Sequence, residues 1–295
     1  MYKGSGVALV TPMIDGEIDY DSFKNIISFH KKHKTQALII GGTTGESATL
    51  TKQEKISLVE FALEETKQAG IKVILGAGSN DTTETIAFLR DVQSIRLDGV
   101  MLITPYYNYN KSTNQRGLLQ HFKTIAVSVP NLPIMLYDVP ARTGIRMFPD
   151  TITQLSEIDN IVAYKDATGD LVLATEIIDK TKGKISFYSG MDTLNFLFLS
   201  IGAQGTAGVA NNIVPHLINT MCEEFFNGNI DQAKELHFKL LDIAKVLFAD
   251  ISPIAVKEAL YKMGLIKSNS LRLPLVTMEE KDKHLLYECL TKYDL

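Results

Sequence analysis

Residues 161–169, Ile161-Val162-Ala163-Tyr164-Lys165-Asp166-Ala167-Thr168-Gly169, carry an apolar run into a lysine and then at once into a polar turn. Such a run, closed by Asp, Thr and Gly, reads as a buried strand with Lys165 at its carboxyl end. A lysine placed there has two readings. It ends the strand and reaches water, or it is withdrawn from water. In the second case desolvation disfavours the ammonium, and a neutral amine can condense with a ketone as a Schiff base. The segment by itself favours the first reading, and its surroundings favour the second.

Outward from this strand the same unit repeats. Short apolar or β-branched runs at 7–10, 37–40, 73–77, 100–103, 134–137, 161–165, 185–188 and 205–207 alternate with amphipathic stretches at 20–34, 52–69, 82–95, 114–128, 149–156, 171–180, 191–201 and 215–227. Strands alternating with helices of this length imply a parallel sheet with helical crossovers, and eight such units close a (β/α)8 barrel, the TIM barrel. Start signals agree: Thr51 precedes Lys52-Gln53-Glu54 as a capping box, Asp81 opens Thr82-Thr83-Glu84, and Pro149 and Pro215 suit first-turn positions. Residues 1–227 are therefore read as the catalytic barrel. Residues 228–295 are read as an extension of three helices, at 231–249, 253–263 and 279–293, packed on the barrel or on another subunit. No flexible Gly/Ser linker divides the two.

Composition narrows the function. The 295 residues are 45% hydrophobic, and 30 Lys plus Arg stand against 34 Asp plus Glu with no basic run, which argues against nucleic-acid binding. No apolar stretch nears the roughly 20 residues that span a bilayer, and the first residues lack a secretory pattern, so a cytoplasmic location is expected. Cys222 and Cys289 are distant and form no CxxC pair; His30 and His33 have no third ligand in view. Neither a disulfide framework nor a metal site is expected.

In a (β/α)8 barrel the site is built where the strands end, and the unusual polar residues of this chain fall at those ends. Gly41-Gly42-Thr43-Thr44-Gly45-Glu46-Ser47 follows the second strand, Thr104-Pro105-Tyr106-Tyr107-Asn108 the fourth, and Asp138-Val139-Pro140-Ala141-Arg142-Thr143-Gly144 the fifth. Strands five and six are neighbours about 4.8 Å apart, so the Tyr137 phenol can reach the Lys165 amine and act as a proton shuttle. Read blandly, Tyr137 is a barrel-lining aromatic. The glycine-rich loop lets backbone amides and the Thr hydroxyls approach a carboxylate, but without the Gly-Lys-Ser/Thr ending it is no P-loop; its bland reading is an ordinary turn. Arg142 offers a planar fork for a second carboxylate, though taken singly it is a solvated loop arginine.

Together, residues 42–47 (Gly-Thr-Thr-Gly-Glu-Ser), 104–108 (Thr-Pro-Tyr-Tyr-Asn), 136–144 (Leu-Tyr-Asp-Val-Pro-Ala-Arg-Thr-Gly), 163–169 (Ala-Tyr-Lys-Asp-Ala-Thr-Gly), 188–192 (Tyr-Ser-Gly-Met-Asp) and 271–275 (Leu-Arg-Leu-Pro-Leu) resemble the 4-hydroxy-tetrahydrodipicolinate synthase family, in order from Gly4 to the last helices. The wider class I aldolase family, which includes N-acetylneuraminate lyase and 2-keto-3-deoxy-sugar-acid aldolases, shares the barrel, the lysine, the tyrosine and the Gly-Thr-Thr/Ser-Gly-Glu loop. Arg142 and the Tyr106-Tyr107 pair favour the synthase over a pyruvate-dependent sugar-acid aldolase or lyase. Possession of both Tyr137 and Lys165 disfavours a silent keto-acid sensor.

The resemblance implies a lyase of lysine and diaminopimelate biosynthesis that needs neither metal nor organic cofactor. Pyruvate would form an imine with Lys165, and its enamine would attack L-aspartate 4-semialdehyde. Tyr137 would shuttle protons, with Thr44 linking it to Tyr107 of a neighbouring subunit. Thr43 and Thr44 would hold the pyruvate carboxylate, Arg142 would meet the semialdehyde carboxylate, and Gly190 and Ala207 would line the pocket. It further implies a homotetramer of two tight dimers and a regulatory cleft at Ser47, Ala48, Asn80, Glu84 and Tyr106. Three departures stand out. The segment from Tyr106 to Gln115 is longer than usual, which makes Tyr109 an alternative to Tyr107; Asp138 stands where Asn is common; and Ala207-Gly208 is small. Lys52 and Lys55, where lysine-sensitive relatives often carry histidine, weigh against tight feedback inhibition.

Overall fold

The computed structural model describes residues 1–107 and 115–295; the alternative tyrosine, Tyr109, lies outside them. Eight strands, β1 (Gly4–Ala8), β2 (Ala37–Ile40), β3 (Lys72–Ala77), β4 (Gly99–Ile103), β5 (Ile134–Asp138), β6 (Ile161–Asp166), β7 (Ser186–Ser189) and β8 (Gly205–Gly208), pair in parallel and in chain order, and β1 closes on β8. The expected barrel is present. Its first strand starts earlier than the apolar run suggests, because Gly4 and Ser5 pair with Gly205 and Thr206.

Helices α1 (Tyr20–Lys32), α2 (Lys52–Thr66), α3 (Thr82–Val92) and α4 (Gln115–Ser128) fill the first four crossovers. A short α5 (Pro140–Thr143) precedes α6 (Pro149–Leu155), and α7 (Leu171–Thr181), α8 (Asn195–Ser200) and α9 (Pro215–Phe226) follow. Thr51 and Glu54 form the reciprocal capping box, and the Asp81 carboxylate accepts from the Thr83 and Glu84 amides. The stretch expected to be helical from 191 begins instead as a 3-10 turn, Asp192–Leu194. The Asp192 carboxylate is drawn inward to the amides of Val209 and Ala210, at 2.8 and 2.9 Å, so the α-helix starts only at Asn195.

The carboxyl-terminal extension differs in count. The stretch expected as one helix from 231 to 249 divides into α10 (Ile230–Lys239) and α11 (Leu241–Val246), followed by α12 (Ile254–Lys262) and α13 (Glu280–Thr291). At the division the Leu240 amide reaches the carbonyls of both Leu236 and His237, a tightened turn that ends one helix and begins the next. An antiparallel pair, Met13–Ile14 with Glu17–Ile18, and the short α5 also lay beyond the periodicity.

The pleat sorts the barrel side chains into two layers. Leu38, Ile40, Val73, Leu75, Leu102, Leu136 and Tyr164 join the large core between barrel and helices. Ala37, Ile39, Ile74, Met101, Met135, Tyr137, Ala163 and Ala207 fill the barrel interior. Because Ala163 faces inward and Tyr164 outward, Lys165 faces inward, opposite Tyr137 in the register of β5 and β6. The floor is closed by the amino-terminal segment. The Tyr2 ring stacks on Tyr188 at 4.3 Å between centroids, and the Tyr2 hydroxyl donates to the Thr206 carbonyl at 2.7 Å.

Removing that floor should be costly. Tyr2→Ala is expected to lower stability by about 3 to 5 kcal/mol, as for other buried aromatics, and Tyr2→Phe by about 1 kcal/mol for the lost hydrogen bond. Denaturant unfolding monitored by circular dichroism measures both, and equal losses would show that the ring contributes nothing beyond its hydroxyl.

Candidate active site

A cavity of about 700 Å³ opens at the carboxyl ends of the strands. Thr43, Thr44, Tyr137, Arg142, Lys165, Gly190 and Ala207 all line it, so seven residues singled out in five separate segments converge. Lys165 is 4% exposed, and its Nζ lies over the Tyr137 ring, 4.4 Å from the centroid. Only a glycine fits at 190: a Cβ there would stand 2.9 Å from Lys165 Cε and 2.7 Å from the Asp166 carbonyl. The missing side chain is thus the channel through which the lysine stem reaches the cavity.

Burial pushes the Lys165 amine down to about 8, the nearby Arg142 charge adds to the fall, and Asp192 opposes it. At pH 7 about a tenth of the amine is then neutral, against well under a thousandth for an ordinary lysine. Burial likewise raises the Tyr137 phenol, which the Thr43 hydroxyl and the Arg142 charge pull back. A neutral amine beside a protonated phenol is the pair needed for carbinolamine formation and dehydration.

The glycine-rich loop supplies a different kind of group. Its Gly45, Glu46 and Ser47 amides turn back to the carbonyls of Gly42 and Thr43, at 3.0 to 3.1 Å. The Thr43 and Thr44 amides bond no described residue, which leaves two donors at the cavity wall beside Lys165. Close passage of this loop over β3 requires Gly76, where a Cβ would meet the Gly41 carbonyl at 2.5 Å. Arg142, on α5, donates to the Ser252 carbonyl at 3.2 Å.

Tyr107 does not join the group. It is 92% exposed with φ 76° and lines neither this cavity nor the others among the described residues, so within the described part of one chain Tyr137 and Thr44 are not linked to Tyr107. The residues considered for regulation fall at a second cavity of about 540 Å³, where Ser47, Ala48, Glu84 and Tyr106 form part of the wall. Asn80 stands beside it and accepts from the Tyr106 amide at 2.7 Å. Glu84 is already paired with Lys52 at 3.2 Å, and Lys55 Nζ donates to Ser47 Oγ at 2.9 Å. Two cations of the chain itself, Lys52 and Lys55, thus engage Glu84 and Ser47 in this cleft. Among the described residues no helix is long and apolar enough to cross a membrane, and no cluster of three metal-ligating side chains occurs.

Sequence reasoning missed the parts played by Asp192 and residues 248–252, and, although it singled out Asp138 as a departure, the pairing of Asp138 with Asp166. Asp192 is buried and raises the Lys165 amine electrostatically; its signal was an acid two residues past Gly190. Residues 248–252, from the extension, line the cavity opposite the strands, which no local pattern announces. Asp138 and Asp166, one residue beyond the reactive pair and in register with each other, face outward and are fully buried. Asp138 Oδ2 accepts from the Met147 amide at 2.8 Å and the Tyr164 hydroxyl at 3.2 Å, and Asp166 Oδ1 accepts from the Thr168 amide and hydroxyl. Their other oxygens, Asp138 Oδ1 and Asp166 Oδ2, have no partner among the described residues. Burial pushes Asp138 up to about 7, with the Asp166 charge adding to it, and Asp166 to about 6.

This geometry is that of a barrel enzyme with an amine at the end of its sixth strand. The profile of the dihydrodipicolinate synthetase family matches residues 1–293. The 4-hydroxy-tetrahydrodipicolinate synthase of Sulfurihydrogenibium sp. (strain YO3AOP1) is 40% identical over 296 residues, covering 100% of this chain and 99% of the relative. The crystal structure of dihydrodipicolinate synthase from Aquifex aeolicus superposes with a TM-score of 0.95 at 39% identity, covering 100% of this chain and 99% of that one. The chloride-inhibited enzyme from Acinetobacter baumannii, complexed with pyruvate, gives 0.95 at 37% identity, with coverage of 100% and 99%. The chain belongs to the dihydrodipicolinate synthetase family.

Two pH dependences follow. Asp138 and Asp166 have folded-state values above the roughly 3.9 of an unfolded Asp. Their contribution to stability is therefore full below about pH 4 and is lost as pH rises through about 6 to 7. Asp138→Asn should flatten this slope, measured as urea midpoints at about pH 5 and about pH 8; an unchanged slope would refute the assignment. Separately, the rate at which a carbonyl compound traps Lys165 should rise through about pH 8. Arg142→Ala should move that rise to higher pH and Asp192→Asn to lower pH, and shifts in the opposite senses would discard the electrostatic account.

Proposed function

We propose that this chain condenses pyruvate with L-aspartate 4-semialdehyde through an imine on Lys165, giving 4-hydroxy-tetrahydrodipicolinate, the product for which its relatives are named. The observation that carries the reading is Lys165 Nζ, 4.4 Å from the Tyr137 ring centroid, in a cavity that also holds Arg142 and the open Thr43 and Thr44 amides. The neutral amine attacks the keto carbon of pyruvate, and Tyr137 moves the protons that turn the carbinolamine into an imine and water. The protonated imine draws electrons from the adjacent methyl carbon, so that a proton leaves and an enamine forms. The enamine carbon attacks the aldehyde carbon of the second substrate. Its amino group then closes on the imine carbon and displaces Lys165, again with Tyr137 as shuttle.

The two carboxylates are assigned to different donors. That of pyruvate sits on the Thr43 and Thr44 amides, and that of the semialdehyde on the Arg142 fork. Gly190 and the backbone at Ala207 line the wall beside the imine. Arg142 weighs against a sugar-acid aldolase, whose second substrate presents hydroxyls where the semialdehyde presents a carboxylate.

Tyr107, exposed and turned away from its own cavity, is assigned to the site of a neighbouring subunit, next to that subunit's Thr44. The assembly is read as a homotetramer of two such dimers, in the cytoplasm. Residues 228–295 form a topological extension of the 1–227 barrel, yet residues 248–252 belong to the site. In the second cavity, Lys52 and Lys55 beside Glu84 and Ser47 support the reading that free lysine inhibits weakly.

Borohydride with pyruvate should fix a stable adduct on Lys165 and abolish activity, since reduction converts the imine to an amine; peptide mapping to another lysine would overturn the assignment. Arg142→Ala should still trap pyruvate at alkaline pH. Its use of aspartate semialdehyde should fall by about 1.5 to 3 kcal/mol in transition-state stabilisation or more, with Arg142→Lys recovering part. Normal use of the semialdehyde, or preference for a sugar acid, would transfer the assignment to an aldolase.

A further inference from the structure

The loop that presents the Thr43 and Thr44 amides is fastened from outside the barrel by a buried charge network. Glu46 takes a left-handed backbone, φ 58°, which a non-glycine residue holds only where its surroundings impose it. Its carboxylate forms an ion pair with Lys257 on α12, and both side chains are fully withdrawn from water. The second Glu46 oxygen accepts from the Arg272 amide at 3.0 Å, and Lys257 Nζ also donates to the Ser270 carbonyl at 2.8 Å. Arg272 extends the network: its guanidinium donates to the Gly16 carbonyl at 2.7 Å and the Thr49 carbonyl at 2.8 Å, and it forks onto Glu54, the residue that completes the α2 capping box.

From the inner side the loop is held by Thr11, whose hydroxyl donates to the Gly45 carbonyl at 2.8 Å. Glu46 itself, through its amide, closes the turn on the Thr43 carbonyl at 3.1 Å. The backbone orientation at Thr43 and Thr44 is thus set one turn away from a carboxylate that cannot move without leaving Lys257. A desolvated pair recovers little net stability, because the loss of hydration offsets most of the attraction, but it fixes relative position sharply. Its place between the last third of the chain and the carboxylate-holding turn identifies what it fixes.

We propose that Glu46 and Lys257 are positioning residues for the keto-acid carboxylate: their pair, tied in by Arg272, holds the 42–47 turn so that the Thr43 and Thr44 amides converge beside Lys165. This rests on the imine reading above and extends it. The pair touches no substrate, so its removal should weaken the capture of pyruvate and leave the chemistry at Lys165 otherwise intact.

The test is borohydride trapping of pyruvate on Lys165, titrated with pyruvate, in the full-length protein and its variants. The double variant Glu46→Gln/Lys257→Met leaves no unpaired buried charge and keeps an acceptor for the Arg272 amide. In it, half-saturating pyruvate should rise about ten-fold or more, as misplacement of a binding group on a small scale does. The Michaelis constant for aspartate semialdehyde and the pH at which trapping rises should stay close to wild type, and circular dichroism should report a folded barrel. Arg272→Ala, at the partly exposed end of the network, should raise half-saturating pyruvate in the same direction by a smaller factor. A folded variant, single or double, with wild-type half-saturation would reduce the network to a structural tie and overturn the proposal. Failure of wild type to trap pyruvate at all would instead remove the imine reading.

Discussion

The desolvation of Lys165 is the constraint around which the site is arranged. An ammonium taken to the barrel mouth loses hydration, and the chain offers it only partial compensation. Tyr137 gives the face of its ring at 4.4 Å, and Asp192 gives an attraction at longer range while spending its own hydrogen bonds on the Val209 and Ala210 amides. A carboxylate in direct contact would hold the proton on the amine; none is present among the described residues. The Arg142 charge lowers the amine further, against the pull of Asp192, so one cation both depresses the nucleophile's proton affinity and stands ready for an anionic group.

Alternation along two adjacent strands makes this possible. In β5 and β6 the residues at 137 and 165 turn inward together and those at 138 and 166 turn outward together. Reactive groups and their buried acidic neighbours thus share a register but not a compartment. The cavity lies on one face of the sheet, and the protonation of the Asp pair on the other. A slip of one residue in either strand would exchange them, which is why the strand pattern and not the lysine alone specifies the site.

Much of this was legible in the chain. Eight apolar runs separated by amphipathic stretches specify the barrel, and the side-chain period of two places Lys165 beside Tyr137. Thr51, Asp81, Pro149 and Pro215 marked helix starts correctly because capping is a local interaction between residues two or three apart. The rest was invisible for a physical reason. Leu240 divides a helix through a tightened turn that its neighbours' hydrophobicity does not reveal. Residues 248–252 and Lys257 meet the barrel mouth across more than 200 positions of sequence from Glu46, and such pairings leave no trace in spacing. Tyr107 looks like a site residue in its motif, yet among the described residues it stands exposed and away from the cavity.

The tie between Glu46 and Lys257 also bears on how the molecule is made. A ribosome releases the chain from the amino terminus onward, and all eight barrel strands have been synthesised once Gly208 has emerged. The second-strand loop is by then long complete, but its cationic partner and the Arg272 fork are still to come. The strands of the barrel are thus complete in sequence before the residues that finish its mouth. In this family member the last quarter of the chain therefore comes last to the cavity, and a nascent barrel without it holds the 42–47 turn only from the inner side, through Thr11 and the turn's own amides.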